Sequence, residues 1–462
     1  MVTAHWIFAG LLVVHIVAGL WTTGRANATG DETYYFMAAD SLLRGEGLEL
    51  TARWRELAGA SYDPGPPVTA ADFVRQTAPS LTRAGRYPLH DPGLSLLIAV
   101  PFAAGGRALV VVVSALAMAA ALAVAYRAAV GYGIGQRPAV VATVLTGLAA
   151  PAITYSGQTF PDAIAPLPIA LALGAAFGVV PIRPIGLALA ALPLLHLRYW
   201  PLALGLLGLI VLTRRPRRRA FLALLAPLAV AAGALAIVGL AIYGVPLPHA
   251  SFVSFFLAGE QVGAYTRASG AGLIGLFADR TFGLLPAAPV FALAFVGAGI
   301  AARDDRSRAL LAATLPYVAV VALLDWTGAY SPQARYLAPL VPVLAVLLAT
   351  ALGHRAVRIA AVPLVLLTLA QSAIYVVAPE LRYGRAGFEP LADLAWAPLG
   401  IRPSALFPLI TQSGSWPAAT AWAGLLAGLV ALGSFHFGAV RHDSVMGDRE
   451  GGGVWGRSRR SS

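Results

Sequence analysis

Pro92-Gly93-Leu94-Ser95-Leu96-Leu97-Ile98-Ala99-Val100-Pro101-Phe102-Ala103-Ala104-Gly105 is an apolar run of 14 residues, and the topology of the chain turns on whether it crosses a membrane. A helix that spans hydrocarbon needs about 20 apolar residues, with about 17 as a practical floor. The run falls short of that floor. The question arises because the chain is apolar almost throughout: of its 462 residues 58% are hydrophobic and 12% charged, and the mean hydropathy is +0.74. Soluble domains carry about twice that charged fraction. Too few polar residues remain here to cover a water-facing surface.

Outward from this run, longer apolar stretches cover 2–22, 108–125, 139–153, 163–180, 185–195, 200–213, 220–243, 284–301, 310–324, 336–351, 359–378 and 418–436. Charge placement decides how they alternate, because cytoplasmic loops are enriched in basic residues. If 92–105 does not span, the loops on the side of the N-terminus hold 18 arginines against five acids, a net +13, and the opposite side is left at −1. If it does span, the cluster Arg214, Arg215, Arg217, Arg218 and Arg219 lands outside. The run therefore reads as a juxtamembrane helix at the outer surface. The expectation is an all-α polytopic membrane protein of about 12 transmembrane helices, multi-pass in the cell membrane, with both termini cytoplasmic. Residues 1–440 form one transmembrane domain, and 441–462 a short basic cytoplasmic tail with a disordered composition. The outer loops are 23–107, 244–283 and 379–417. The stretch Ala26-Asn27-Ala28 looks like a cleavage site, yet no basic residue precedes the first apolar run, so the first helix is expected to stay uncleaved.

The net charge of +12 would suggest an acidic partner in a soluble chain. Here it reports orientation, and no nucleic-acid partner is expected. All 33 basic residues are arginine, which an Ala/Arg/Gly-rich coding bias explains most simply. The chain has no cysteine, which excludes disulfides, thiolate metal sites and a cysteine nucleophile.

Chemistry is expected at the outer face, where the 23–107 loop holds nine of the sixteen outer acids. Gly30-Asp31-Glu32-Thr33-Tyr34-Tyr35 follows the first helix and leads into Phe36–Gly45, which reads as a short amphipathic helix capped by glycine. Two adjacent carboxylates at a membrane rim suit a general base or a share in a divalent cation site, with Asp31, Glu32 and His90 as its ligands. The simpler alternative is that they complement the helix dipole. Tyr87-Pro88-Leu89-His90-Asp91-Pro92-Gly93 opens the juxtamembrane helix, and His90 and Asp91 there can hold a phosphate or metal, the alternative being a histidine bonded to water at an interfacial turn. Further polar groups mark span ends: Phe160-Pro161-Asp162, His196-Leu197-Arg198-Tyr199, Asp279-Arg280, Asp325-Trp326 and Gln333-Ala334-Arg335-Tyr336. Ionisable groups at membrane depth are costly, which makes them functional candidates. For Arg198 the alternative is snorkelling to headgroups. Arginine binds phosphate with a planar fork, so isolated outer arginines suit an anionic headgroup.

Together these motifs resemble the GT-C class of integral membrane glycosyltransferases, and within it the branch of protein O-mannosyltransferases and the aminoarabinose transferase of lipid A (families 39 and 83). The resemblance rests on Gly30-Asp31-Glu32 with Tyr34-Tyr35, and on Tyr87-Pro88, His90 and Pro92-Gly93. Phe160-Pro161-Asp162, Leu195-His196 with Arg198-Tyr199, and Ala334-Arg335-Tyr336-Leu337 support it more weakly. It implies transfer of a hexosyl or pentosyl group, with inversion, from a polyprenyl-phosphate donor lipid to the hydroxyl of a glycan, lipid or protein outside the cytoplasm. It implies Asp31 as catalytic acid residue with Glu32 beside it, and Arg198, Arg335, His90 and Arg280 on the donor phosphate. Tyr35, Tyr87, Asp162, His196 and Tyr336 are then substrate contacts, and a divalent cation stays compatible with the acids. Two other classes fit the composition: a transporter or flippase of a lipid-linked sugar, which needs ionisable groups through the midplane, and a non-catalytic membrane assembly protein in which Asp31 and Glu32 only cap a helix.

Overall fold

The computed structural model describes residues 2–26, 28, 30–57, 69–259, 271–324, 327, 331–382, 397–400, 403–410 and 415–437. The tail 441–462, Asp325-Trp326 and parts of all three outer loops lie outside the described residues. The helices, in chain order, are α1 (Val2–Thr23), α2 (Glu32–Leu43), α3 (Thr51–Glu56), α4 (Ala70–Gln76), α5 (Gly93–Gly131), α6 (Gln136–Leu148), α7 (Ala152–Tyr155), α8 (Pro161–Ile164), α9 (Pro166–Ala176) and α10 (Ile185–Leu195). The second half adds α11 (Trp200–Arg214), α12 (Arg218–Tyr243), α13 (Ala250–Leu257), α14 (Gly272–Ala278), α15 (Leu284–Ala287), α16 (Ala292–Ala301), α17 (Asp305–Leu324), α18 (Val341–Leu352), α19 (Arg355–Val377) and α20 (Trp416–His436). Apolar stretches become helices because in hydrocarbon every backbone N–H and C=O must find its partner within the segment.

The fold is the expected all-α polytopic one. Among the described residues eight helical segments are long and apolar enough to cross a membrane, and Pro161–Ala176, Ile185–Leu195 and Pro289–Ala301 are shorter apolar helices. The expected run 139–153 is split into α6 and α7 at Ala149, whose backbone is extended (φ −91°, ψ 153°). All twelve expected runs are thus helical, although four are short or broken. The decisive run 92–105 forms the first part of α5, and helical geometry lapses at Gly105 and Gly106 (φ +58°) before the second part continues to Gly131. Only glycine takes that positive-φ conformation without strain, so the helix breaks where the apolar run 92–105 ends.

Two local expectations need correction. The helix after Asp31 starts at Glu32, four residues before the expected Phe36, and Glu32 to Ala39 are all buried, so it is not amphipathic. It packs on α5, while Tyr34, Met37 and Ala38 join Leu50 and Phe73 in a small cluster that closes its other side. The first outer loop also contains a two-stranded antiparallel ribbon, with Thr77–Pro79 paired to Arg86–Pro88. Three-residue strands carry no alternation long enough to be read from sequence.

At the centre lies α18, with all 12 residues buried, flanked by α16, α6 and α5. Between helices in lipid no hydrophobic force acts, so close packing through small residues supplies the association. Gly297 on α16 illustrates it: a Cβ there would lie 1.9 Å from the carbonyl oxygen of Leu347 on α18. Gly297→Ala is therefore expected to lower stability by about 1–3 kcal/mol, read as a reduced unfolding temperature in detergent. An unchanged temperature would show that the two helices separate freely.

Candidate active site

The site lies where five chain segments end or break. Asp31 precedes α2, His90 precedes α5, and Asp162 sits in the first turn of α8. Arg198 lies in the 3-10 turn Leu197–Tyr199 between α10 and α11, and Arg335 opens the 3-10 turn Arg335–Leu340 before α18. Proline shapes two of these breaks: Pro161 sets the start of α8, and Pro339 interrupts the approach to α18. Ala334 holds a left-handed conformation (φ +57°), with its N–H donated to the carbonyl of Phe282. That backbone costs a non-glycine residue about 1 kcal/mol and turns the chain so that Arg335 enters the interior.

Asp162, fully buried, is the hub. Arg198 Nη2 donates to both its oxygens at 2.6 Å, Tyr199 Oη donates to Oδ1 at 2.7 Å, and Arg335 Nε donates to Oδ2 at 3.2 Å. Arg335 Nη2 reaches on to Asp31 Oδ2 at 2.6 Å, and His90 Nε2 stands 3.5 Å from the same oxygen. The Tyr336 ring lies beneath both guanidinium groups, 4.8 Å from Arg198 and 5.6 Å from Arg335, and Phe160 is 4.4 Å from Arg335. His90 in turn faces Tyr35 and His196, with ring centroids 5.7 and 5.4 Å away. Arg198 Nε, the Tyr35 hydroxyl and His90 Nδ1 are buried without a hydrogen-bond partner among the described residues.

Asp31, His90, Asp162, His196, Arg198, Arg335, Tyr35 and Tyr336 are thus brought together. Asp31 makes no side-chain hydrogen bond to the start of α2, so the helix-cap reading of this acid does not hold. Glu32 takes other partners: its Oε1 accepts the N–H of Thr159 at 2.6 Å and its Oε2 lies 3.7 Å from Arg107. Among the described residues no three His, Asp or Glu side chains gather as a metal set. Tyr87 packs edge-on against Tyr243 and donates to the carbonyl of Ala84. Arg280 instead donates to the carbonyl of Phe407.

Three further residues support the cluster: Tyr199 and Asp91 stand in the quoted motifs without the role the structure gives them, and Arg107 went unread. Tyr199 is fully buried on Asp162, although its position beside Arg198 was visible. Arg107 anchors the loop before Asp31, donating to the carbonyl of Ala26 at 2.7 Å; its signal was a lone arginine after Gly105-Gly106 at the start of an apolar run. Asp91 Oδ2 accepts the N–H of Leu197 at 2.6 Å and so ties the entry of α5 to the turn that carries Arg198. Gly93 serves the same junction, since a Cβ there would sit 2.1 Å from the Leu194 carbonyl oxygen.

Asp31 and Asp91 are both buried carboxylates, yet they titrate in opposite directions. Burial opposes ionisation of each. At Asp31 the charges of Arg335 and His90 outweigh it and hold the carboxyl well below the usual range. At Asp91 burial prevails over the Leu197 N–H and the more remote Arg198, and pushes the carboxyl up to about 7. Burial and the neighbouring Arg198 keep His196 well below the usual histidine range, hence neutral.

No family model and no curated protein matches the sequence. Among solved structures, the chain is similar to ArnT from Cupriavidus metallidurans, a crystal structure in the apo state, at 16% identity, with 94% of this chain and 78% of that one covered and a TM-score of 0.49.

Two predictions follow from these geometries. Asp162→Asn leaves two buried guanidinium groups short of a counter-charge, and is expected to cost about 3–5 kcal/mol in thermal or denaturant unfolding. For Asp91, the folded state binds the proton more tightly than the unfolded state, whose value is about 4. Its contribution is therefore fully favourable below about pH 4 and is lost as the pH rises through about 7. The unfolding temperature of the wild type relative to Asp91→Asn should fall between pH 4 and 7; a flat difference would contradict the buried acid.

Proposed function

We propose that the protein is a membrane glycosyltransferase that passes a sugar from a polyprenyl-phosphate donor to an acceptor hydroxyl. The observation that carries this reading is the convergence of Asp31, His90, Arg198 and Arg335 from four separated segments into one buried cluster at the ends of apolar helices. The motif resemblance to the GT-C class agrees with it. A helix-capping role would leave Asp31 on its own helix, and snorkelling would leave Arg198 facing lipid; both side chains instead turn inward.

The chemistry needs two things. A phosphate leaving group is already a stable anion, so it requires cationic stabilisation rather than a proton. The incoming hydroxyl requires a base. Arg198 and Arg335 suit the first need and Asp31 the second, in one displacement at the anomeric carbon that inverts its configuration. The C–O bond to the phosphate breaks as the bond to the acceptor oxygen forms, and the hydroxyl proton passes to Asp31. Tyr336 and Phe160 hold the guanidinium planes by cation–π contact. The polyprenyl chain would lie along the apolar spans.

The extracytoplasmic face is the side we assign to the cluster. Arg198 precedes α11 and Arg335 precedes α18, whereas the far ends of the same helices lead to Arg214–Arg219 and to Arg355 with Arg358. The basic groups favour the cytoplasm, which puts the cluster on the other side.

The test is transfer of a radiolabelled sugar from a panel of polyprenyl-phosphate donors, with and without chelator. Asp31→Asn is expected to fold as the wild type and to lose transfer by about 10²–10⁴-fold, the usual contribution of a general base. Undiminished transfer in that variant would refute the role of Asp31, and no transfer by the wild type from any donor would refute the reading as a whole.

A further inference from the structure

The arginines that suit a donor phosphate are already occupied. Arg198 and Arg335 face Asp162 and Asp31, so two cations and two carboxylates cancel within the cluster. Asp31 is also poorly placed as a base, because Arg335 Nη2 holds its Oδ2 at 2.6 Å. A carboxylate engaged in a charge-assisted hydrogen bond gives up much of its affinity for a proton. One donor of these cations is unspent: Arg198 Nε is buried with no hydrogen-bond partner among the described residues. Its guanidinium shares Asp162 with that of Arg335, and both lie over the Tyr336 ring, so the two cations stand side by side.

Resting on the function proposed above, we infer that donor binding is an exchange of anions on Arg335. The single negative charge of the sugar phosphodiester takes the place of the Asp31 carboxylate, which is thereby released to act as base. The donor phosphate is anchored first by Arg198 Nε. Arg335 then turns its Nη2 from Asp31 to the phosphate while its Nε stays on Asp162. Asp31 keeps a neighbour in His90, 3.5 Å away, and so remains at the site after release. The base is thus uncovered only when a donor is present, and a lone water meets an Asp31 that is still held by Arg335. Asp162, fully buried between both guanidinium groups, does not exchange; it is a positioning residue for the pair.

The exchange makes a prediction that a purely structural ion pair does not. Removing the Asp31 charge should tighten phosphate binding, since the competing anion is gone. Binding of a sugar-free polyprenyl monophosphate to the full chain in detergent is compared with binding of polyprenol and of inorganic phosphate. Asp31→Asn is expected to bind the polyprenyl monophosphate about tenfold more tightly than the wild type, the equivalent of one charge-assisted hydrogen bond at about 1.4 kcal/mol per decade. Arg335→Ala is expected to bind it about tenfold more weakly, and polyprenol binding should stay constant in both. A parallel gain for inorganic phosphate in Asp31→Asn supports the exchange by locating it in the anion rather than the chain. Equal or weaker polyprenyl monophosphate binding in Asp31→Asn, with Arg335→Ala still impaired, overturns the exchange and leaves the phosphate site standing. Binding no better than that of polyprenol in every variant overturns both. Thermal unfolding confirms that each variant is folded, and Asp31→Ser replaces Asp31→Asn if the latter is not.

Discussion

A carboxylate with no solvent contact, set between two guanidinium groups, governs this structure. Removing an ion from water costs several kcal/mol even after relaxation, and only close pairing offsets it. Asp162 meets that condition by taking Arg198, Tyr199 and Arg335 at once. Arg198 and Tyr199 belong to one break in the helical bundle and Arg335 to another, so the pairing requirement draws the ends of α8, α11 and α18 to one point. The Leu197–Tyr199 turn, the left-handed Ala334 and the proline at the start of α8 follow from this as the local geometries that bring the charges within reach.

Around that hub the molecule separates rigidity from chemistry. Glu32, Arg107 and Thr159 hold the loop between α1 and α2, and Asp91 with Gly93 joins the entry of α5 to the turn bearing Arg198. Asp31 stands at the margin of the network, paired to one guanidinium and adjacent to His90. The same burial that pushes Asp91 up to about 7 is overcome at Asp31 by opposite charge. Two carboxylates of similar depth are therefore pushed in opposite directions, and the difference lies in what faces them.

Much of the fold was legible because apolar length and arginine placement are one-dimensional signals. Twelve apolar runs became helices, and helical geometry breaks at Gly105-Gly106, where the apolar run 92–105 ends. The burial of α2 was not legible, since periodicity reports only what the helix itself presents; Leu50 and Phe73, from elements that follow it, cover the face that would otherwise meet water. The two adjacent acids were read as a pair. Successive residues at a helix start point about 100° apart, so Asp31 and Glu32 reach different arginines. Arg280 shared the polar-residue-at-a-span-end signature with Arg335, yet a neighbouring carbonyl satisfies it.

By itself, the sequence determined that the chain is a bundle of apolar helices, and which isolated ionisable residues had to be explained at their ends. The cost of charge in hydrocarbon makes such residues conspicuous, and it acts on each one separately. Which of them meet was decided only by the tertiary structure, because an ion pair depends on distances of about 3 Å between segments separated by as many as 304 positions, as Asp31 and Arg335 are. The list of functional groups was therefore local information, whereas their pairing, and with it the difference between a free cation and an occupied one, belongs to the folded molecule.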